Sequence, residues 1–288
     1  MRKLLISGVL IMSCLLTWAQ DFRVATYNLR NENTYDVGNL WKDRYQYVVK
    51  LINYHDFDFF GTQEVLPGQL KDLEKSLPFY AYYGEGRDGN GQGEHTAIFY
   101  KTNKYNLLNK GDFWLSATPD VPSKSWDAPC CNRICTWLEL QEKSTGKKFF
   151  VFNAHYDYEK DYAREQSSLL VLKKIKEIVG DSPVIYMGDL NGSIKDSWCK
   201  ILQDSKVLRN TYFDVEEPYA NSASYNGFGR IENMGEGDKA MQREKTVIDH
   251  IFFSKHFATN RWGVLTDTYD MGKFPSDHFP VLVNASWK

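Results

Sequence analysis

The stretch 183–193 reads Pro-Val-Ile-Tyr-Met-Gly-Asp-Leu-Asn-Gly-Ser. Residues 184–187 form an apolar run short enough for a buried strand, and Gly188 is expected to end it. Asp189 and Asn191 are two positions apart, so an extended backbone points both to one side. A carboxylate can take or hold a proton on water, and a carboxamide can orient that water or an oxyanion. Alone, such a pair more often serves the hydrogen bonds of its own turn. The same format recurs along the chain, however. Strand-like runs end in or beside Asn28, Glu64, His155 and Asp249, and Asp277-His278 precedes the last run. Catalytic groups favour loops carried on rigid strands, and this many polar strand ends are hard to explain as turn chemistry. Glu64 and Asp277 are hard oxygen donors suited to Mg²⁺ or Mn²⁺. His155 and His278 can donate to a phosphoryl oxygen.

Periodicity gives the elements that must hold these groups. Strands are expected over 22–29, 57–61, 96–100, 105–115, 134–140, 148–153, 184–187, 246–254, 262–266 and 279–283. Helical spacing appears over 41–54, through Trp41, Tyr45, Val48 and Ile52, and over 162–179, through Leu169, Leu172 and Ile175. Pro67 suits the first turn of another helix, and 197–202 a short one. Glycine-rich or polar tracts at 84–93, 116–133 and 214–245 read as loops. No repeat and no linker divides the chain, so 21–288 is expected to be a single α/β domain.

The first twenty residues have the pattern of a secretory leader. Arg2 and Lys3 precede an apolar run over 4–16 and the small-x-small sequence Thr17-Trp18-Ala19. An exported protein, periplasmic or secreted, is therefore expected, with lipid anchoring at Cys14 the weaker alternative. No other run is long and apolar enough to span a bilayer. Loss of Arg2 and Lys3 leaves 33 basic against 37 acidic residues, a formal charge of −4. Nothing here is a broad basic field, so charge does not support tight binding of duplex DNA. Cys130, Cys131, Cys135 and Cys199 remain after the leader, and export permits disulfides. Either of the first two could close a small loop with Cys135; the spacing leaves the pairing open.

The polar strand ends also carry a resemblance. Thr-Tyr-Asn-Leu-Arg at 26–30, Gly-Thr-Gln-Glu at 61–64, Asn-Ala-His at 153–155, Gly-Asp-Leu-Asn at 188–191, Ile-Asp-His-Ile at 248–251 and Ser-Asp-His-Phe-Pro at 276–280 follow one another along the chain. In order and approximate spacing they resemble the endonuclease/exonuclease/phosphatase superfamily, and within it the secreted bacterial branch. The resemblance implies a four-layer α/β sandwich, two mixed sheets face to face with helices outside, as in deoxyribonuclease I. It implies Glu64 as the principal ligand of Mg²⁺ or Mn²⁺, with Asn28 beside it and Asp277 close. Asp189 would orient or deprotonate the attacking water with help from Asn191. His278, held by Asp249, and His155, buttressed by Glu94, would contact phosphate as charged donors. Arg164, on the helix after His155, could reach phosphate, although a helix-surface arginine is the commoner role.

The function expected from this set is metal-dependent phosphoester hydrolysis by in-line attack of water. A phosphodiesterase acting on nucleic acid or a nucleotide-like ester is the first expectation, by a monomer. A phosphatase or phospholipase C-type hydrolase, acting on sugar phosphates or lipid headgroups, is the alternative. A noncatalytic phosphate-binding module is the third reading, and it gives no reason for a water-handling Asp189.

Overall fold

The computed structural model describes residues 21–229 and 246–288. The expected leader, Cys14 included, and the part of the long polar loop from 230 to 245 lie outside the described residues. In chain order the elements are β1 (Phe22–Asn28), α1 (Trp41–His55), β2 (Phe59–Gln63), α2 (Pro67–Ser76), β3 (Tyr80–Tyr83), β4 (Ile98–Lys101), β5 (Tyr105–Trp114), β6 (Ile134–Glu142), β7 (Lys148–His155), α3 (Asp161–Val179), β8 (Val184–Asp189), α4 (Ser197–Asp204), β9 (Arg209–Asn210), β10 (Asp249–Phe253), β11 (Phe257–Val264) and β12 (Val281–Trp287).

Two six-stranded sheets result, in the orders β11-β12-β1-β2-β4-β3 and β5-β6-β7-β8-β10-β9. Each contains one parallel pair, β1 with β2 and β7 with β8, and the remaining pairs are antiparallel. Parallel neighbours need a crossover, and α1 and α3 supply it. The sheets pack face to face through Phe59, Ile98, Leu138, Val151, Met187 and Ile251, among others. Trp41, Val48 and Leu73 bury the outer face of the first sheet under α1 and α2, and Val171, Ile175 and Trp198 bury that of the second under α3 and α4. Each such side chain contributes roughly 1.5–3 kcal/mol of burial free energy. The four-layer α/β sandwich expected from the sequence is the fold.

Several boundaries differ from the periodicity, each for a local reason. The strand expected over 57–61 runs from Phe59 to Gln63, which puts Glu64 immediately after it. Gly188 does not end its strand. A Cβ there would lie 2.0 Å from the Ala154 carbonyl oxygen, so glycine lets β8 press against β7 and carry on to Asp189. The last strand starts later and runs to Trp287, β11 starts at Phe257, and β3, an all-aromatic-and-alanine segment without alternation, was not expected. Cys135 does not pair with the loop cysteines. It lies on β6, buried in the layer beneath the helices, while Cys130 and Cys131 are joined to each other. Cys199 is buried on α4 as a free thiol.

Candidate active site

Strand register assembles the polar ends. In the second sheet His155 of β7 lies opposite Asp189 of β8, and Asp189 lies opposite Asp249 of β10. In the first sheet Asn28 is paired with Gln63, so Glu64 follows one residue beyond. Asn28 then joins the sheets: its Nδ2 donates to Glu64 Oε1 at 3.1 Å and to Asp189 Oδ2 at 3.0 Å. Its Oδ1 accepts from the Arg30 N–H at 3.0 Å, and a backbone N–H can only donate, which fixes the way the amide faces. Asn28 therefore offers its nitrogen, not its oxygen, to the carboxylates, and as placed it secures Glu64 and Asp189. Ser276 Oγ donates to the Asn28 carbonyl at 2.7 Å and pins the Asp277-His278 segment beside them.

Asn191 does not share an extended strand with Asp189. It lies past the end of β8 at φ 48°, its N–H donating to Asp189 Oδ1 at 2.9 Å and its Nδ2 to the Tyr156 carbonyl at 3.0 Å. The turn thus uses its own side chains, and still lines the cavity.

His278 Nδ1 donates to Asp249 Oδ2 at 2.9 Å, and its Nε2 lies 3.8 Å from Asp189 Oδ2. Burial opposes charge on the ring, but Asp249 and then Asp189 and Asp277 outweigh it and push His278 up to about 10. Asp189 is pushed up to about 7, first by burial and then by Asp249. His155 behaves differently from the charged donor expected. Burial, followed by the charges of Arg133, Arg87 and His278, drives it well below the ordinary range, although its Nε2 lies 3.6 Å from Asp189 Oδ2. The expected buttress is also elsewhere: Glu94 accepts from Asn31 Nδ2 at 3.1 Å and pairs with Arg87.

The acidic side of the site suits a divalent ion. Glu64 and Asp277 face one guanidinium: Arg30 lies 3.7 Å from Glu64 Oε2 and 3.7 Å from Asp277 Oδ2. Asp277 is pushed up to about 6, by burial first, with Glu64 adding to it. Crowded carboxylates of this kind, one buried and one partly buried, are the hard oxygen donors that Mg²⁺ or Mn²⁺ takes. Asp189, Asp249 and His278 are also close enough together to share an ion. There, however, His278 already supplies the positive charge through its bond to Asp249, so Glu64 and Asp277 are the better fit.

Glu64, Glu94, His155, Asp189, Asn191, Asp277 and His278 open onto one cavity of about 420 Å³, lined also by Arg30, Arg87, Arg133, Tyr158, Tyr225 and the Cys130–Cys131 pair, with Asn28 and Asp249 buried behind it. Tyr225 packs its ring edge-on against His278 at 5.1 Å. The three arginines were not singled out from the sequence. Arg87 and Arg133 stand alone in or at the end of loops, where no periodicity marks them, and the one signal was Arg30 closing the stretch Thr-Tyr-Asn-Leu-Arg at 26–30. Arg164 does not line this cavity. It donates to the Asp157 carbonyl at 2.9 Å, pairs with Asp161 and covers the Trp198 ring at 4.3 Å. His250 is likewise structural, bonded to the Gly192 carbonyl at 2.8 Å and to Asn210 at 3.2 Å.

Residues 25–278 match the endonuclease/exonuclease/phosphatase family. The chain belongs to that family. Endonuclease/exonuclease/phosphatase proteins of known structure share its fold closely. One from Bacteroides thetaiotaomicron is 42% identical, with a TM-score of 0.86 over 94% of this chain and 99% of that one. A mannosyl-6-phosphatase of the same organism is 43% identical, with a TM-score of 0.83 over 92% of this chain and 99% of that one. Human tyrosyl-DNA phosphodiesterase 2 is 24% identical over 276 residues, 91% of this chain and 67% of that protein. As a family member the chain is a hydrolase of phosphoester bonds. Among the described residues no helix is long and apolar enough to cross a membrane.

Proposed function

We propose that this chain is an exported, divalent-metal-dependent phosphatase that acts on a sugar phosphate. The cavity carries the reading. Its volume of about 420 Å³ has room for one phosphoryl group and one ring, and Cys130–Cys131, Tyr158 and Tyr225 line it beside the reacting groups. The likeness to a mannosyl-6-phosphatase supports the same substrate class. Export rests on the leader-like residues 1–20.

Glu64 and Asp277 would hold the ion, which when bound would neutralise phosphoryl charge and stabilise the leaving oxygen. Asp189, with a pKa of about 7, is matched to taking a proton from water near neutral pH. The Asn191 N–H on its Oδ1 leaves Oδ2, already held by Asn28, facing both imidazoles. Charged His278, oriented by Asp249, donates to a phosphoryl oxygen, where negative charge grows in the transition state. Neutral His155 offers one N–H to the same group.

The test is a panel of mannose 6-phosphate, glucose 6-phosphate, sphingomyelin, RNA and single- and double-stranded DNA, each with Mg²⁺, Mn²⁺ or EDTA. Release of inorganic phosphate from a sugar phosphate is expected, abolished by EDTA and by Asp189→Ala or His278→Ala. Faster turnover of a nucleic acid or lipid, or full activity in EDTA, overturns the reading. For export, N-terminal sequencing of the protein recovered outside the cytoplasm should begin near Asp21; recovery only from the cytoplasm with residue 1 intact sinks that part.

A further inference from the structure

Among the described residues three arginines are almost wholly buried, and they differ in how their donors are used. Arg44 donates to the carbonyls of Leu29, Arg30, Asn39 and Pro275 at 2.7–3.0 Å. Arg164 bonds Asp157 and Asp161 and lies over Trp198. Arg44 is bound up within the fold, and so is Arg164 through both terminal nitrogens, although its Nε has no hydrogen-bond partner. Arg133, 4% exposed, has a ring contact, its guanidinium 5.9 Å from the centroid of Tyr158, and no such hydrogen bonds. Its Nε is buried without a partner, and no acceptor among the described residues takes a hydrogen bond from the guanidinium. Its nearest counter-charge is Asp157, whose Oδ2 lies 3.8 Å from Nε and is itself buried without a hydrogen bond. A guanidinium stays charged and carries five donors, and burying it unbonded is costly unless something else supplies acceptors.

The backbone that carries it is firmly placed. Arg133 immediately precedes β6, and its carbonyl accepts from the Leu115 N–H at 2.7 Å. It opens into the cavity that His155, Asp189 and His278 line. Arg87, beside it, has its charge answered by Glu94. Burial and the neighbouring Arg87 charge both work against charge on Arg133, a penalty that an anion in the cavity relieves.

We propose that Arg133 is a substrate-binding residue that recognises the second negative charge of a phosphate monoester, and that it sets a preference for monoesters over diesters. The proposal rests on the phosphatase reading and names how that site would choose its substrate. Near neutral pH a monoester carries up to two charges and three terminal oxygens able to accept. A diester carries one charge, and one of those oxygens bears a carbon substituent. A fixed guanidinium fork gains two strong, charge-assisted bonds from the first and loses part of them with the second.

The experiment compares kcat/KM for p-nitrophenyl phosphate and bis(p-nitrophenyl) phosphate in the wild type, Arg133→Lys and Arg133→Met, with the inhibition constant of inorganic phosphate and the melting temperature of each. We expect the wild type to favour the monoester. Arg133→Met should lose roughly 10–100-fold on the monoester, with a change of no more than about 3-fold on the diester. Arg133→Lys, which keeps the charge and is the safeguard should Met fail to fold, should recover part of the preference. Inhibition by phosphate should weaken in step with it. A wild type that favours the diester overturns the phosphatase reading and this proposal with it. A wild type that favours the monoester, with that preference and phosphate inhibition intact in the variants, overturns the role of Arg133 alone. So does an equal loss on both substrates that lysine does not repair.

Discussion

His278 and Asp249 share a hydrogen bond of 2.9 Å between Nδ1 and Oδ2, and both side chains are shut away from solvent. The bond fixes which nitrogen of the imidazole faces the cavity and keeps the ring charged. Asp249→Asn removes the charge and leaves the shape. We expect kcat to fall by roughly 10²–10⁴, the range of a positioned acid or base, with a smaller change in KM. The alkaline limb of the pH–rate profile should move to lower pH. An unchanged limb would show that the charge on His278 does not depend on Asp249.

The same pair makes the metal-free protein sensitive to alkali. The folded pKa of His278, about 10, lies above its ordinary 6.5. Protonation therefore favours the folded state, and that stability is complete below pH 6.5 and lost as pH rises through 10. Melting temperatures in EDTA should fall between pH 7 and pH 10, and His278→Gln should flatten the slope over that interval. Asp189 and Asp277, pushed up to about 7 and about 6, lose their corresponding contributions at lower pH and leave this window to the histidine.

Asn28 is predicted to matter to the metal without ligating it. Its amide donates to Glu64 and Asp189, so Asn28→Ala leaves two carboxylates without a donor. Removing a partner that orients ligands typically weakens metal affinity by roughly 10–100-fold. An unsatisfied buried acceptor costs about 1–3 kcal/mol. A Mg²⁺ titration of activity, together with chemical denaturation, reads both. Wild-type affinity in this variant would contradict the bridging role.

Gly188 is the position where a single methyl group should do most harm. The added Cβ would meet the Ala154 backbone at 2.0–3.0 Å, inside the sheet, where neither strand can withdraw. Gly188→Ala should cost about 3 kcal/mol or more, or leave no soluble protein. Gly146→Ala, in an open turn with its nearest neighbour 4.0 Å away, should cost only about 1 kcal/mol, mainly through its φ of +72°. Denaturant melts of the two variants decide it.

What the sequence made legible followed from backbone periodicity and from local motifs. Buried runs such as 184–187 and amphipathic helices such as 162–179 repeat at spacings that burial demands, and the polar residues at their ends stand out against them. Asn28, Glu64, His155, Asp189, Asn191, Asp277 and His278 could be named this way before any packing was known. Two kinds of information were not local. The charge state of His155 depends first on burial and then on Arg133 and Arg87, which the fold brings near from 22 and 68 positions away in the chain. The partner of Glu94 was misjudged because Arg87, on the other arm of its glycine-rich loop, is the nearer group once the loop closes. The boundary at Gly188 failed for a related reason: glycine reads as a break, and here it is what allows two strands to touch.

Asn28 and Glu64 belong to one sheet, while His155, Asp189 and Asp249 belong to the other. Neither sheet alone carries a reacting set. A chain that has lost one layer, through heat, truncation or incomplete synthesis, should therefore keep no residual catalysis with relaxed specificity, and activity in this protein should double as a report that the whole chain is correctly assembled.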